Sequence, residues 1–205
     1  MHKSATRQVR PGSPSRLEAP SENGVLLAQL GPAHRELISR HLLELPASDR
    51  RLRFGHAISD GSVSDYVRTI RFVRDAAFGA FDDCGRLIGF GHVAFGPDGA
   101  EFALSVAPAA RRRGIGHALF KRAGIHARNR GHEVLLMLYM PENDALASLA
   151  QRSGMQVVCD PLECRAYLGL RPPTARSVLS EAWSEAVAAL DLGFRRSAPS
   201  TLTSA

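Results

Sequence analysis

Apolar positions along this chain follow two rhythms, and the switches between them mark its elements. Residues 25–30 form a short apolar run of strand length. After the Gly31-Pro32 break, Leu37, Ile38, His41 and Leu42 recur at helical spacing, with Pro32 suited to a first helical turn. Residues 45–50 interrupt that helix and open a short second one, and 62–65 start another helical pattern carrying Val67, Ile70 and Phe72. The middle is strand-like. Segments 77–81 and 87–95 flank the turn Asp82-Asp83-Cys84-Gly85 as a hairpin, and Gly96-Pro97-Asp98-Gly99 leads into a third strand over 101–106. Ile115, Ala118, Leu119, Ala123 and Ala127 share a helix face, which Gly131 ends as a left-handed cap. Residues 134–139 are nearly all apolar, as a strand buried on both faces is. A helix over 145–152 with Gly154 at its end, and strands near 155–158 and 166–168, complete the pattern. The order β-α-α-β-β-β-α-β-α-β-β predicts a mixed α/β sheet with hairpins first and crossovers second.

The ends behave differently. Residues 1–23 are rich in Ser, Pro, Arg and Gly with little to bury, which predicts a disordered arm. Beyond Arg171-Pro172-Pro173, residues 175–192 favour a helix with Val178, Leu179, Trp183, Val187 and Leu190 on one stripe, suited to packing on the domain or on a partner, before a loose tail. The predicted organisation is an arm (1–23), one folded domain (24–170) and a C-terminal extension (171–205). A chain of 205 residues is long enough for such a core.

Net charge is +6 with a pI of about 9.9, much of it in the tails and in Arg111, Arg112 and Arg113. Basic residues are not interleaved with aromatics, so nucleic acid is not expected and a phosphorylated small ligand accounts for the charge. Cys84, Cys159 and Cys164 form no CxxC and no His pair has metal spacing, so zinc is not expected and the cysteines read as reduced thiols of a cytoplasmic protein. No apolar run approaches 18 residues and the first twenty residues lack an apolar core, so neither a membrane span nor a secretory signal is expected.

Candidate chemistry concentrates in Val106-Ala107-Pro108-Ala109-Ala110-Arg111-Arg112-Arg113-Gly114-Ile115-Gly116. A strand delivers a basic, Gly-containing turn to a helix start, where unpaired N–H groups and the helix dipole favour an anion. Glycines let the backbone approach that anion closely. There is no GxxxxGK[ST], and the GxG lacks the third glycine and downstream acid of a dinucleotide site.

Arg111-Arg112-Arg113-Gly114-Ile115-Gly116 resembles the Arg/Gln-x-x-Gly-x-Gly/Ala pattern of the GNAT acyltransferase superfamily. The segment Asn143 to Met155 is similar to that family's Asn-x-x-Ala-x-x-Leu-Tyr-x-x-x-Gly-Phe, with Asn143, Leu149 and Gly154 aligned, Ala150 in place of the tyrosine and Met155 in place of the phenylalanine. The resemblance covers about residues 25–170. It implies a mixed, splayed sheet with helices on both faces, and acetyl-CoA as acyl donor for an N-acetyltransferase acting on a primary amine. It places the pyrophosphate on Arg111, Arg112, Arg113, Gly114, Ile115, Gly116 and His117, and the thioester on the backbone of Leu104, Ser105 and Val106. Asn143 would cap a helix and reach the cofactor arm. A strand glutamate serves as general base in several relatives, which points to Glu101; its apolar neighbours predict partial burial. The phenol that protonates the leaving thiolate in many relatives has no counterpart at Ala150, and Tyr139 and Ser148 are the hydroxyls nearby in sequence. His92, His117, His126 and His132 read as structural or surface residues. Arg51-Leu52-Arg53-Phe54, Ser59-Asp60 and Tyr66 resemble the acceptor side of bacterial protein lysine acetyltransferases, so the acceptor is a protein lysine or a small amine. Dimers are common in the family, so a homodimer is open. The alternative is an acyl-CoA-binding regulatory module with weak turnover.

Overall fold

The computed structural model describes residues 25–97 and 99–197, without the side chains of Arg176 and of 190–197. The arm predicted over 1–23 and the tail beyond 197 lie outside the described residues. Seven strands form one sheet in the order β1-β2-β3-β4-β5-β7-β6: β1 (Leu26–Leu30), β2 (Ala76–Phe81), β3 (Leu87–Gly96), β4 (Gly99–Val106), β5 (Val134–Tyr139), β6 (Gln156–Cys159) and β7 (Cys164–Gly169). Neighbours run antiparallel except β4 and β5, which are parallel. Among the described residues six α-helices accompany it: α1 (Arg35–Leu43), α2 (Ala47–Phe54), α3 (Asp60–Thr69), α4 (Ile115–Asn129), α5 (Asp144–Arg152) and α6 (Ala175–Ser197).

Most predicted elements are present, with shifts that have local causes. The segment between β1 and β2 holds three full helices rather than the two of the predicted order. The third starts at Asp60 because Ser59 Oγ accepts the Ser62 N–H as an N-cap, and it stops before Phe72. β5 is not buried on both faces; its positions alternate between buried and partly exposed.

Two cores lie on opposite faces of the sheet. On one, α4 seats Ile115, Leu119 and Ala123 against Phe78, Phe102, Leu135 and Met137. The helix can lie this close because β3 carries glycine at 89 and 91. A Cβ at 89 would meet Ile115 at 2.8 Å, and one at 91 would meet Phe102 at 2.9 Å. On the other face, α1 and α3 pack Ile38, Leu42, Val63 and Val67 over Leu26, Phe81 and Phe90. Each large side chain buried here contributes roughly 1.5–3 kcal/mol.

One finding overturns an expectation, and a second bears on an open one. Cys159 and Cys164 pair across the β6–β7 hairpin as a disulfide, and Cys84 is the free cysteine, so the three do not all read as reduced thiols. Spacing hid this, because five residues apart becomes directly opposite only once the hairpin forms. The apolar stripe of α6 does not pack inward: Val178, Leu179 and Trp183 are exposed. The helix docks instead through Ala188 in the second core and through polar bonds to α4. Glu181 accepts from His126 at 2.6 Å and from Asn129 at 2.5 Å, Ser177 Oγ donates to Asn129 Oδ1 at 2.7 Å, and Arg122 pairs with Glu185 at 3.2 Å. Burial opposes ionisation of Glu181, but the bonds from His126 and Asn129 prevail and hold its pKa below the usual value. Among the described residues, no helix is long and apolar enough to cross a membrane.

Two histidines are buried as neutral rings. His41, on α1, has its pKa pushed down to about 4 chiefly by burial, against a raising bond to the Leu87 carbonyl. His92, on β3, is pushed to about 4 by burial and then by the Arg53 charge, so the 3.6 Å approach of its Nε2 to Asp75 is not an ion pair.

Replacing Glu181 with Ala should lower stability by roughly 1–3 kcal/mol, because it strands buried donors on His126 and Asn129; urea unfolding of the variant beside wild type checks this. Both buried histidines titrate lower in the folded state than the ordinary 6.5, so the unfolded chain binds more protons between pH 6.5 and 4. Their contribution is full above pH 6.5 and is lost on descent toward pH 4, by at most roughly 3 kcal/mol each. Unfolding free energies across that window should fall with pH, with a shallower slope in His92→Gln.

Candidate active site

The site exists because β4 and β5 separate. They pair only at Ala100↔Leu135 and Glu101↔Leu136, whereas β5 stays paired with β7 as far as Tyr139. From Phe102 to Val106, β4 keeps β3 on one edge and has no strand on the other. Unpaired backbone groups therefore face a cleft of ≈ 820 Å³. Leu104, Ser105 and Val106 line it beside Ile115, Gly116 and His117 of α4; α5 and its cap add Asn143, Leu146 and Ser148; Leu45, Asp49, Leu52 and Arg53 form the far wall.

The turn from β4 to α4 leaves backbone donors unpaired. Pro108–Ala110 makes one 3-10 turn, Arg111 is extended, and Arg112 and Gly114 adopt left-handed backbones with φ of 62° and 79°. A non-glycine residue in that region costs of order 1–3 kcal/mol, which the surrounding turn must hold in place. No side chain caps α4, and its first helical bond runs from Ala118 N–H to Gly114 O at 3.0 Å. The N–H groups of Ile115, Gly116 and His117 thus have no helical acceptor, at the positive end of the dipole. Gly116 brings the helix close to the strand: a Cβ there would lie 3.4 Å from Leu104 Cδ1.

The predicted residues do not all stand alike. Arg111 lines the cleft, but its guanidinium is held by Asp49 at 2.5 Å and bonds the Val106 carbonyl at 3.3 Å. Arg112 and Gly114 also line it, and Arg113 is not among the lining residues. Asn143 is buried, and its Oδ1 caps α5 by accepting from Leu146 N–H at 3.2 Å. Across the mouth, Arg51 of α2 pairs with Glu142 at 2.8 Å, so α2 ties to both lips of the cleft through Asp49 and Arg51. These pairs are largely exposed and add little to stability.

Glu101 departs from expectation. Side chains alternate along β4, so Ala100 and Phe102 enter the α4 core while Glu101 turns to the opposite face and is exposed, not partly buried. It is outside the cleft lining, four residues and roughly 13 Å along the strand from Ser105. Ser105 lies on the same face, opposite Phe90, and is buried. Its hydroxyl is 2.9 Å from His41 Nε2. Nearby, Arg53 donates to Tyr66 Oη at 2.7 Å, and Tyr66 Oη shares a hydrogen bond with His92 Nδ1 at 2.9 Å. His126 serves the α6 contact and His132 stacks on Phe95. Ala150 is fully buried in the α4-side core, Tyr139 is buried with its pKa raised by desolvation, and Ser148 lines the cleft.

Sequence reading placed Leu52 and Arg53 on the acceptor side but missed Leu45 and Asp49 of the far wall and the His41–Ser105 contact. His41 was legible as a helix-face residue between Ile38 and Leu42, but its partner is 64 positions away. Asp49 stood in a segment read as the break between two helices.

A model of the acetyltransferase (GNAT) family matches residues 44–155, more than half of the chain. No curated protein matches it in sequence. Solved structures share the fold at low identity. The GNAT domain of S. lividans PAT aligns over 78% of this chain and 100% of its own with a TM-score of 0.62 and 18% identity. Salmonella typhimurium yncA, solved with its cofactor acetyl-CoA, aligns over 75% of this chain and 98% of its own (TM-score 0.56, 16% identity). Vibrio cholerae spermidine N-acetyltransferase, in complex with CoA and spermine, aligns over 72% and 96% (TM-score 0.57, 16% identity). The chain belongs to the acetyltransferase (GNAT) family.

Proposed function

We propose that this enzyme transfers the acetyl group of acetyl-CoA to a primary amine by direct attack of the amine on the thioester. The observation that carries this reading is the meeting, in one cleft, of the unpaired β4 edge with the uncapped start of α4. Backbone N–H groups of Ile115, Gly116 and His117, with Arg112 beside them, hold the diphosphate. Leu104 to Val106 offer the amides that bond the pantetheine arm and polarise the thioester carbonyl. Arg111 aids through charge while paired with Asp49, and Asn143 orders the α5 lip. Residues 24–170 form the transferase domain in this reading, and α6 braces it through α4.

The amine enters from the α2–α3 side, where Arg53, Tyr66 and His92 make a hydrogen-bonded wall. Arg51 and Arg53 are occupied by Glu142 and by the rings of Phe54 and Tyr66, which argues against a role in attracting acidic substrates. An ammonium must lose a proton before it can attack. Glu101, exposed on this face, takes that proton through water, since its distance from the β4 edge precludes direct contact. A protein lysine is the favoured acceptor, on the resemblance of the 51–66 region to lysine acetyltransferases and the fold shared with S. lividans PAT. A polyamine is the second, on the fold shared with the spermidine enzyme.

Gly114→Asp should weaken acetyl-CoA binding at least tenfold in calorimetric titration. A Cβ at 114 meets nothing within 4 Å and Asp tolerates the left-handed backbone, so the loss reports charge in the anion site rather than a clash. Glu101→Gln should lower kcat/KM for the amine by about tenfold or more and move the pH profile, with acetyl-CoA affinity unchanged; an unaltered profile would remove Glu101 from the mechanism. A wild-type protein that binds acetyl-CoA but consumes none with lysine peptides or spermidine would favour a regulatory module.

A further inference from the structure

Acyl transfer to an amine must move two protons. One leaves the free ammonium before attack. The other leaves the nitrogen after the N–C bond forms, and the departing sulfur ends by gaining one. The first can be lost at the exposed mouth. The second must move inside the cleft, and position 150 offers no phenol there.

Ser105 lines the cleft elsewhere, with His41 behind it. Ser105 lines the cleft from β4, between Leu104 and Val106. His41 reaches it from α1, buried, with Nε2 2.9 Å from Ser105 Oγ and Nδ1 3.1 Å from the Leu87 carbonyl oxygen. The carbonyl can only accept, so Nδ1 carries the ring proton and Nε2 presents its lone pair. Ser105 Oγ–H therefore donates to His41, which leaves the serine oxygen's lone pairs for a donor in the cleft. The low pKa of His41 agrees with a neutral ring. This is the arrangement of hydroxyl, base and orienting group found where protons are moved on and off reacting atoms.

We propose that Ser105 and His41 form a proton shuttle for acyl transfer, an inference that rests on the transferase reading above. As the amine nitrogen bonds to the thioester carbon, its proton passes to Ser105 Oγ, and the serine proton passes to His41 Nε2. The C–S bond then breaks, its electron pair leaves on sulfur, and the path runs backward to place one proton on that sulfur. Nitrogen loses a proton, sulfur gains one, and Ser105 and His41 end unchanged. The catalytic residue is Ser105; His41 acts through it.

The test is steady-state kinetics on the full chain with acetyl-CoA and either a lysine peptide or spermidine, with acetyl-CoA affinity read separately by calorimetry. Ser105→Ala should lower kcat about 100-fold at unchanged acetyl-CoA affinity, within the range of general acid–base catalysis. Ser105→Thr should restore most of it. His41→Asn keeps a donor for the Leu87 carbonyl and removes Nε2; it should lose as much as Ser105→Ala, and the double variant no more than either. A Ser105→Ala enzyme with wild-type kcat, or losses that simply multiply in the double variant, would overturn the shuttle while leaving the transferase standing. Acetylated Ser105 in quenched turnover would overturn it in favour of a covalent route. If Ser105→Ala does not fold, His41→Asn carries the same comparison from another element. Wild-type protein without amine-dependent turnover of acetyl-CoA would overturn both readings.

Discussion

Everything in the cleft follows from one constraint: a backbone edge that cannot be paired by its own sheet. β4 and β5 hold together for two residue pairs and then part, so the carbonyl and amide groups of the last half of β4 face open space. Buried backbone polar groups need partners. The parting is sustained from both sides. β4 stays in register with β3 to Val106, and β5 stays in register with β7 to Tyr139, so neither strand can swing to close the gap without breaking a ladder of its own. A ligand with its own amides is the natural partner for such an edge.

The turn that follows β4 extends the same logic to charge. Left-handed backbone at Arg112 and Gly114 carries the chain sharply into α4 and leaves the first amides of that helix aimed outward. The glycines of β3 matter here in a less obvious way. By letting Ile115 and Leu119 rest directly on the sheet, they anchor the first turn of α4 against β3 and keep those amides in place. Packing on one face of the sheet therefore determines electrostatics at the end of the cleft.

The opposite face is organised around polar groups that burial has stripped of charge. His41 and His92 are neutral rings on the α1–α3 side, each tied to a hydroxyl, and each of those hydroxyls belongs to a different element from its histidine. These bonds join α1 to β4 and α3 to β3. This wall is consequently part of the fold's support, and α2 links it to both lips of the cleft.

The sequence was most legible where function is local. The basic turn, its glycines, the strand before it and the helix after it are contiguous, so periodicity and turn chemistry sufficed to place the strand, turn and helix. The strands and most helices were readable for the same reason, because their signals lie within a dozen residues. Glu101 was found as a residue but misjudged in burial, since its neighbours' hydrophobicity says nothing about which face a given strand position takes until the register is known. The Cys159–Cys164 pair, the outward turn of the α6 apolar stripe, and the His41–Ser105 contact were beyond reach. Each depends on which surface meets which after folding, and α6 shows the point best: its most hydrophobic stripe loses to a polar one that satisfies His126 and Asn129. The sequence by itself determined the family, most of the element order and the basic, glycine-bearing turn, because those reside in short-range pattern. Only the tertiary structure decided which side chains share the cleft and which titrate in the interior, because both depend on contacts between residues 64 and more positions apart.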